Sequence, residues 1–430
     1  MPRNPHPEVD VPRQLPPWGL TRGGERPRLR STAAAFTSLT ALAATGLVAG
    51  PAIAETPVVP CALQRTPAHH SEGLDSWNGA YTRPDRSLDA VMVFLSFPDS
   101  PPQIAPEELA ADYFPATSQF FDRASYGRFA LRPHPQREWV EMPDDSTSYA
   151  IQRDWNASKR SAYLRDAVSA ADPHVDFSRY DVVYFVADPD APGVNSDATK
   201  VVNFDRPMRA DGTDIKRIVT VFERHPPDRN VLAHETGHVF DLPDLYHRPT
   251  EGEGDWDTHV GDWDVMGSQF GLSPDLFGWH KWKLGWLDRR QVACVEGEGR
   301  RLTLEPLSKR PARGGVGGTK LAVVRTGRGS AIAFEARGAQ GNDRATCTEG
   351  VLVYRVRNEA PSGGGPVEVL DAHPESEACW GDSVYPPLAD APVVAGESFT
   401  VPDEDEGEAV RVEVEGRTAS GAWTVNVSVG

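Results

Sequence analysis

Two histidines and a glutamate in the segment HETGH, residues 234–238, have the types and spacing of a hydrolytic zinc site. Side chains four residues apart share one face of a helix, so His234 and His238 can reach the same metal ion. A catalytic zinc keeps one position open for water, lowers the pKa of that water to about 7, and leaves a carboxylate to accept the proton. We therefore interpret both histidines as zinc ligands and Glu235 as the general base.

The surroundings of HETGH matter, because a chain with 12 histidines can contain this pattern by chance. A predicted buried strand, RIVTVFE (217–223), precedes it, followed by PPD (226–228), whose Asp is a good helix N-cap. About twenty residues downstream lies HVGDWDVMGS, where peptidases of the metzincin type place a Met-turn beneath the zinc. We expect a helix over about residues 229–240, with Met266 packed below the metal and not bound to it.

Three segments together resemble the immune inhibitor A family of secreted bacterial metallopeptidases: HETGHVFDLPDLYH (234–247), GDWDVMGS (261–268) and PDLFGWHKWKLGWLD (274–288). The resemblance covers about residues 87–290. It implies a zincin-type catalytic domain, one catalytic zinc and endopeptidase activity on protein or peptide substrates. Structural calcium also occurs in such enzymes. The acidic segment DPDAPGVNSD (188–197) is the candidate calcium site, although this segment lacks a recognisable calcium-binding loop pattern.

The sequence departs from this family at several points. Asp241 stands where a Gly usually ends the active-site helix, although Asp tolerates the left-handed conformation that a C-cap needs. His247 stands where the family usually has Asp. Only about thirty residues separate the predicted cleavage site from the first strand, so a large folded pro-domain is not expected.

The third protein ligand of the zinc is the least determined part of the site. The resemblance implies a Glu roughly twenty residues after the second histidine. The matching stretch DWDTHVGDWDVM contains no Glu, but Asp257 lies at nearly that position. Asp244 is an alternative, because it follows His234 by ten residues, as in the longer HExxHxxGxxH/D pattern. His259 is a second alternative. We predict His234, His238 and Asp257 as the ligands, with Asp244 and His259 as the alternatives to Asp257.

The elements that must position these residues indicate an α/β (α+β), zincin/metzincin-like catalytic domain followed by a β-rich, sandwich-like C-terminal domain. AVMVFLSF (90–97) and DVVYFVAD (181–188) are apolar runs typical of buried strands, and helical stretches lie between them. After Cys294 the chain changes to short Val-rich strands separated by Gly, Pro and Asp. The predicted organisation is a signal peptide (1–54), a linker or short pro-segment (55–86), the catalytic domain (87–290) and the β-rich domain (291–430).

The N-terminus predicts export. Four Arg precede an uncharged Ala/Leu/Thr-rich run over residues 33–50, and Ala52-Ile53-Ala54 forms a small-x-small cleavage site. An uncleaved membrane anchor is the alternative. The four cysteines suggest two disulfides, for which we favour Cys347–Cys379 and Cys61–Cys294. In the other interpretation, Cys61 is a free thiolate that ligates zinc and keeps the enzyme latent.

The composition excludes one class of partner. The net charge is −18, with 62 acidic and 44 basic residues, whereas nucleic-acid binding needs a basic face. We expect a secreted, extracellular protein that does not bind membranes after signal cleavage, and the sequence leaves its oligomeric state open. Two rival functions are a catalytically dead relative that acts as a binding protein and a zinc hydrolase for a non-peptide or cell-wall substrate. The intact Glu235 argues against the first rival, and the absence of a sugar-binding aromatic pattern argues against the second.

Overall fold

The computed structural model describes residues 60–249, 255–297, 299–312, 315, 317–401 and 409–430. The predicted signal peptide and cleavage site lie outside these residues. Among the described residues no helix is long and apolar enough to cross a bilayer. The fold is mixed α/β with three sheets and few helices, and its C-terminal region is β-rich, as the sequence predicts.

The first sheet has the strand order β2-β1-β3-β5-β4. Strands β2, β1, β3 and β5 run parallel, and only the edge strand β4 is antiparallel to its neighbour. The central strands are apolar throughout because helices cover both faces of the sheet. The strands are β1 (Leu88–Ser96), β2 (Leu131–Glu141), β3 (Val182–Ala187), β4 (Lys200–Ala210) and β5 (Thr213–Val221).

Alternate residues of β1 enter two different hydrophobic cores. Met92 and Phe94 belong to the core that includes residues of α1, α2 and α5, whereas Val93 and Leu95 belong to the core that includes residues of α4. Helix α5 therefore packs on one face of the sheet, and it follows strand β5 in the chain. The helices are α1 (Pro106–Tyr113), α2 (Ala116–Ala124), α3 (Ser146–Tyr149), α4 (Ala157–Ala171), α5 (Val231–Val239), α6 (Gly278–Lys283) and α7 (Pro386–Ala389).

Two further sheets form the C-terminal region. One has the order β11-β10-β9-β8-β6 and the other β12-β13-β14-β7. Apart from the parallel β6–β8 pair, their strands are antiparallel. Their bounds are β6 (Val292–Val295), β7 (Arg300–Leu304), β8 (Leu321–Arg325), β9 (Ser330–Arg337), β10 (Gly350–Arg357), β11 (Val367–Val369), β12 (Ser398–Thr400), β13 (Val410–Arg417) and β14 (Trp423–Val429).

The sheet that contains β10 is buried on both faces. Leu352 and Tyr354 point into the same core as residues of α5, whereas Val351 and Val353 point into a core shared with β13 and β14. The two C-terminal sheets thus pack face to face, and one of them also supports the α/β part. Because this core is continuous across the predicted boundary at residue 290, the β-rich region can act directly on the position of α5.

Both favoured disulfides are present. Cys61 is bonded to Cys294 and Cys347 to Cys379, and no described cysteine is free. The first disulfide ties the segment that begins at residue 60 to β6. The alternative of a free Cys61 thiolate that ligates zinc is therefore wrong, because the Cys61 sulfur is bonded to Cys294.

Two local predictions are corrected. The edge strand β4 was not predicted, because its sequence KVVNFDRPMRA is polar, contains a Pro and has a register shift between Asn203 and Met208. The helix that carries the motif begins at Val231 and not after an Asp228 cap. Asn230 precedes it with a left-handed φ of 61°, and the Asp228 carboxylate accepts a hydrogen bond from Gln269 instead. Asp228 and Asn230 thus bind Gln269 and hold the loop that follows the Met-turn against the start of the helix.

Candidate metal centre

Helix α5 is buried over its whole length, so its two histidines are held by packing as well as by the helix backbone. Gly237 lies between them on the core side. A Cβ atom at this position would lie 2.3 Å from Sδ of Met266, so only glycine allows the helix to approach the Met-turn this closely. Met266 is fully buried beneath the helix, which is where the sequence places it.

Backbone carbonyl groups fix the orientation of both imidazole rings. Nδ1–H of His234 donates to the carbonyl of Val265 at 2.8 Å, and Nδ1–H of His238 donates to the carbonyl of Leu242 at 2.8 Å. A carbonyl oxygen can only accept, so each Nε2 is left with its lone pair available to a metal ion. Outer hydrogen bonds of this kind orient metal-binding histidines in general.

A sharp turn after α5 brings Asp244 to the same point. Asp241 adopts a left-handed φ of 64°, as predicted for the helix end, and the chain then folds back toward the histidines. Oδ1 of Asp244 lies 3.0 Å from Nε2 of His238 and 3.4 Å from Nε2 of His234. Ser362, from the C-terminal region, donates to Oδ2 of Asp244 at 2.9 Å and accepts from its backbone N–H at 2.8 Å.

Among the described residues, the group of His, Cys, Asp or Glu side chains that could hold a metal ion consists of His234, His238 and Asp244. Their ligand atoms all lie within 4.8 Å of one another. Asp257 does not join this group, although it lines a cavity beside His234 and interacts with Ser268. The alternative Asp244 thus occupies the position for which the sequence favoured Asp257.

The other predicted residues take separate positions. His259 does not join the group either; its ring faces that of His247, with the two centroids 5.1 Å apart. In the acidic loop 188–197, Asp188 is buried and accepts hydrogen bonds from Ser100 and from the backbone of Asp190. No His/Cys/Asp/Glu group suited to a metal is found there among the residues that the structure describes.

His238 and Asp244 each stabilise the charged form of the other. Burial opposes ionisation of Asp244, but His238 and His234 outweigh it and hold the pKa of Asp244 well below its usual value. Burial also disfavours protonation of His238, yet the Asp244 carboxylate raises the pKa of His238 to about 9. Without a metal, a proton therefore takes the place of a cation between these side chains. The site is electrostatically suited to positive charge.

Glu235 and Tyr246 flank the three donors. Glu235 is only 7% exposed, and its Oε2 has no hydrogen-bond partner among the described residues. An unpartnered buried carboxylate oxygen is costly and indicates a missing ligand or water. The Tyr246 ring stacks with His234 at a centroid distance of 6.4 Å, and burial followed by the Asp244 carboxylate raises the pKa of Tyr246. Tyr246 therefore remains a hydrogen-bond donor at neutral pH.

Behind the donors, a buried hydrogen-bond chain supports the Met-turn. Asp264 accepts from the backbone N–H of Met266 at 2.8 Å and contacts Nδ1 of His280 at 3.0 Å. Nε2 of His280 lies 3.0 Å from Oε1 of Glu72. Burial disfavours the charged imidazole, but Glu72 and Asp264 raise the pKa of His280 to about 9. The Met-turn is thus connected to the N-terminal part of the described chain.

The segment 61–75, which we term the N-terminal strap, also reaches the end of α5. Asp241 is fully buried, forms an ion pair with Arg65 and lies 2.9 Å from Nδ1 of His70. The His70 ring stacks on His238 with centroids 5.6 Å apart. The sequence analysis did not identify His70, Glu72, His280 or Ser362. The sequence offers one clue to these contacts, which is Asp241. A left-handed helix end requires no charge, so a carboxylate at this position suggests a partner elsewhere in the chain.

No protein-family model matches the chain, and no curated protein matches it. The chemistry of the site is therefore inferred from its own residues.

Two cavities meet at His234 and Glu235. One, of about 440 Å³, is bordered by the strap and by the first residues of β4. The other, of about 340 Å³, is bordered by the start of α5 and by the loop after the Met-turn. Tyr246 lines both cavities. The candidate metal centre thus lies in the middle of an extended cleft.

Proposed function

We propose that this protein is a secreted, zinc-dependent endopeptidase with a zincin-like catalytic region. One observation carries the proposal: the donor atoms of His234, His238 and Asp244 converge on one point beside the unpartnered carboxylate of Glu235. Two imidazoles and a carboxylate are a donor set that catalytic zinc uses. When bound, zinc acts as a Lewis acid that polarises a carbonyl oxygen and lowers the pKa of water to about 7.

The residues around this point supply the remaining chemistry. Glu235 is placed to accept the proton of the attacking water and then to donate it to the leaving amine. Tyr246 stays protonated and faces the cleft beside His234, so its hydroxyl can donate a hydrogen bond to the oxyanion of the tetrahedral intermediate. Both roles follow from side chains that line the two cavities.

The shape of the cleft favours cleavage within a chain over removal of terminal residues. Cavities extend on both sides of Glu235, so a peptide can continue in both directions from the scissile bond. Lys200, Val201 and Asn203 of β4 border the larger cavity, and β4 is the outermost strand of its sheet. An extended peptide can pair with the open edge of such a strand.

The zincin-like assignment and secretion rest on further features. A parallel sheet with one antiparallel edge strand precedes the helix that carries HExxH, which agrees with the resemblance to immune inhibitor A peptidases. Two disulfides are typical of proteins that fold in an oxidising compartment. Together with the predicted signal peptide, they support export.

A casein digestion assay with the purified mature protein tests this function. We expect digestion that a zinc chelator abolishes and that added zinc restores, with internal peptide bonds cleaved. The measurement is mass spectrometry of the fragments. Digestion that persists in chelator, or release of terminal residues alone, would contradict the proposal.

A further inference from the structure

We infer that the cleft selects substrates with an acidic side chain on one side of the scissile bond, which it binds in the larger cavity. This inference rests on the proposed endopeptidase function, because it assigns a preference to the same cleft. It is carried by an uneven distribution of charge along the cleft.

The larger cavity concentrates basic side chains in a protein whose net charge is −18. Arg153, Arg160, Lys200 and Arg248 line it, together with the exposed His69. Two acidic residues outside the candidate centre, Asp154 and Asp197, line it as well. Arg248 lies 3.8 Å from Asp154, which leaves three cations against one carboxylate. We call these three cations, Arg153, Arg160 and Lys200, the basic lobe.

Among the described residues, no member of the basic lobe forms an ion pair with a carboxylate. Lys200 instead donates to the backbone carbonyl of Arg153 at 2.6 Å. Burial, followed by repulsion from Arg160, lowers the pKa of Lys200. An anion that enters between Lys200 and its two arginine neighbours would offset their mutual repulsion, so the arrangement favours a bound carboxylate.

The basic lobe is also held in position. The Arg153 guanidinium lies 4.7 Å from the centroid of the Trp256 ring, and Trp256 packs on Tyr246 with centroids 5.3 Å apart. Tyr246 in turn stacks with His234. This row of rings fixes the distance between the Arg153 charge and the candidate metal centre. A guanidinium fixed in this way loses little side-chain entropy when it binds a carboxylate.

The smaller cavity has the opposite character. Glu223, Asp228 and Asp257 line it, together with Arg153 and Asp197, which border both cavities. None of those three carboxylates forms an ion pair among the described residues. Burial raises the pKa of Glu223, and burial followed by Asp255 raises that of Asp257 to about 6. A second carboxylate from a substrate is therefore disfavoured there. The acidic preference should be confined to the side of the scissile bond that faces the basic lobe.

The test uses pairs of internally quenched peptides built around a casein cleavage site and differing only in Glu against Gln, at one position at a time. At a position that faces the basic lobe, kcat/KM should be about tenfold higher for Glu, the factor of one good charge-assisted hydrogen bond. On the other side of the bond the ratio should be one or lower. Added salt should reduce the preference, because the lobe is partly open to solvent.

Variants assign the preference to residues. Arg160→Gln and Lys200→Gln should each lower the Glu-to-Gln ratio severalfold, and Arg160 is on the surface of α4, where its replacement is compatible with folding. Arg165→Gln is the matched control, because it removes the same charge from an exposed position of the same helix outside the cavity, and the ratio should not change.

Each outcome decides the inference. A ratio near one at every position, or an acidic preference that Arg160→Gln and Lys200→Gln leave intact, would overturn it while casein digestion upholds the endopeptidase function. An equal loss of preference in Arg165→Gln would reduce the effect to overall charge and also overturn it. If neither casein nor any peptide is cleaved, the proposed function fails first and the inference fails with it.

Discussion

Helix α5 and the N-terminal strap meet at Asp241, and they hold their charged side chains in opposite ways. The helix positions His234 and His238 through its own repeating backbone hydrogen bonds. The strap, residues 61–75, contains no helix or strand, yet His70 and Glu72 are as deeply buried as the histidines of the helix. The strap therefore depends on long-range contacts to hold its side chains in position, whereas the helix depends on local hydrogen bonds.

Those long-range contacts reach several parts of the molecule. The Cys61–Cys294 disulfide fixes one end of the strap, and the carbonyl of Glu72 accepts a hydrogen bond from the Trp279 indole at 3.1 Å. Asn358 donates to the carbonyl of Gln64 at 2.6 Å. In the proposed function, the helix would supply the reacting groups, and the strap would hold the end of the helix and border the larger cavity.

The largest effect should come from the helix. Glu235→Gln keeps the shape of the side chain and the donor set but removes the proton acceptor. We expect kcat to fall about 10²–10⁴-fold, with zinc content unchanged. Peptide hydrolysis and metal analysis on the same preparation measure both quantities. Turnover close to that of the unaltered protein would refute the role of Glu235.

The second effect separates the two candidate carboxylates. Asp244→Ala should lower zinc affinity about 100-fold or more, because it removes a donor within reach of both Nε2 atoms. Asp257→Ala is the matched control and should leave zinc affinity unchanged, since Asp257 lies outside the group. Competition with a chromogenic chelator measures both affinities. A greater loss in the Asp257 variant would restore the ligand set predicted from the sequence.

The third effect is a pH-dependent change in stability that arises where His280 contacts Glu72 of the strap. The pKa of His280 is raised from 6.5 to about 9, so its protonation stabilises the folded state fully below pH 6.5. This contribution is lost as the pH rises through 9, and it amounts to something on the order of 3 kcal/mol for a shift of this size. Denaturant unfolding of wild type and His280→Gln between these pH values measures it as a difference.

The difference between the two proteins should shrink toward zero at the alkaline end of that range. His174→Gln is the control, because His174 is exposed in the turn that follows α4. A pH-independent difference for His280→Gln would show that the buried imidazole is neutral throughout and that Glu72 and Asp264 do not hold a proton on it.

The contrast between a regular helix and an irregular strap also explains which parts of the structure the sequence predicts. The spacing of HETGH predicts a helix with both histidines on one face, which α5 provides. The pattern after Cys294 predicts a β-rich region, which contains β9 and β10. Asp244 was named but not preferred, because the turn that brings it back depends on Asp241, on Ser362 and hence on residues more than 100 positions away. Edge strand β4 and the strap lack any periodic pattern to detect.

The smallest effect is the most direct test of the strap, because two contributions to the free energy of unfolding oppose each other. Asp241→Gly retains the left-handed φ of 64° and relieves its strain of about 1–2 kcal/mol. Part of this gain, about 0.4–1 kcal/mol, is lost to the greater entropy of the unfolded glycine chain. The substitution also leaves His70 and Arg65 without their buried acceptor, which costs about 1–3 kcal/mol. We expect a net loss of about 1–2 kcal/mol in the free energy of unfolding and a weaker hold on zinc, since His70 packs on His238. Asp241→Asn, which keeps one acceptor oxygen, should lose less. A glycine variant that is more stable than wild type and binds zinc equally well would show that Asp241 serves only the helix end, and that the strap lies against the metal centre without supporting it.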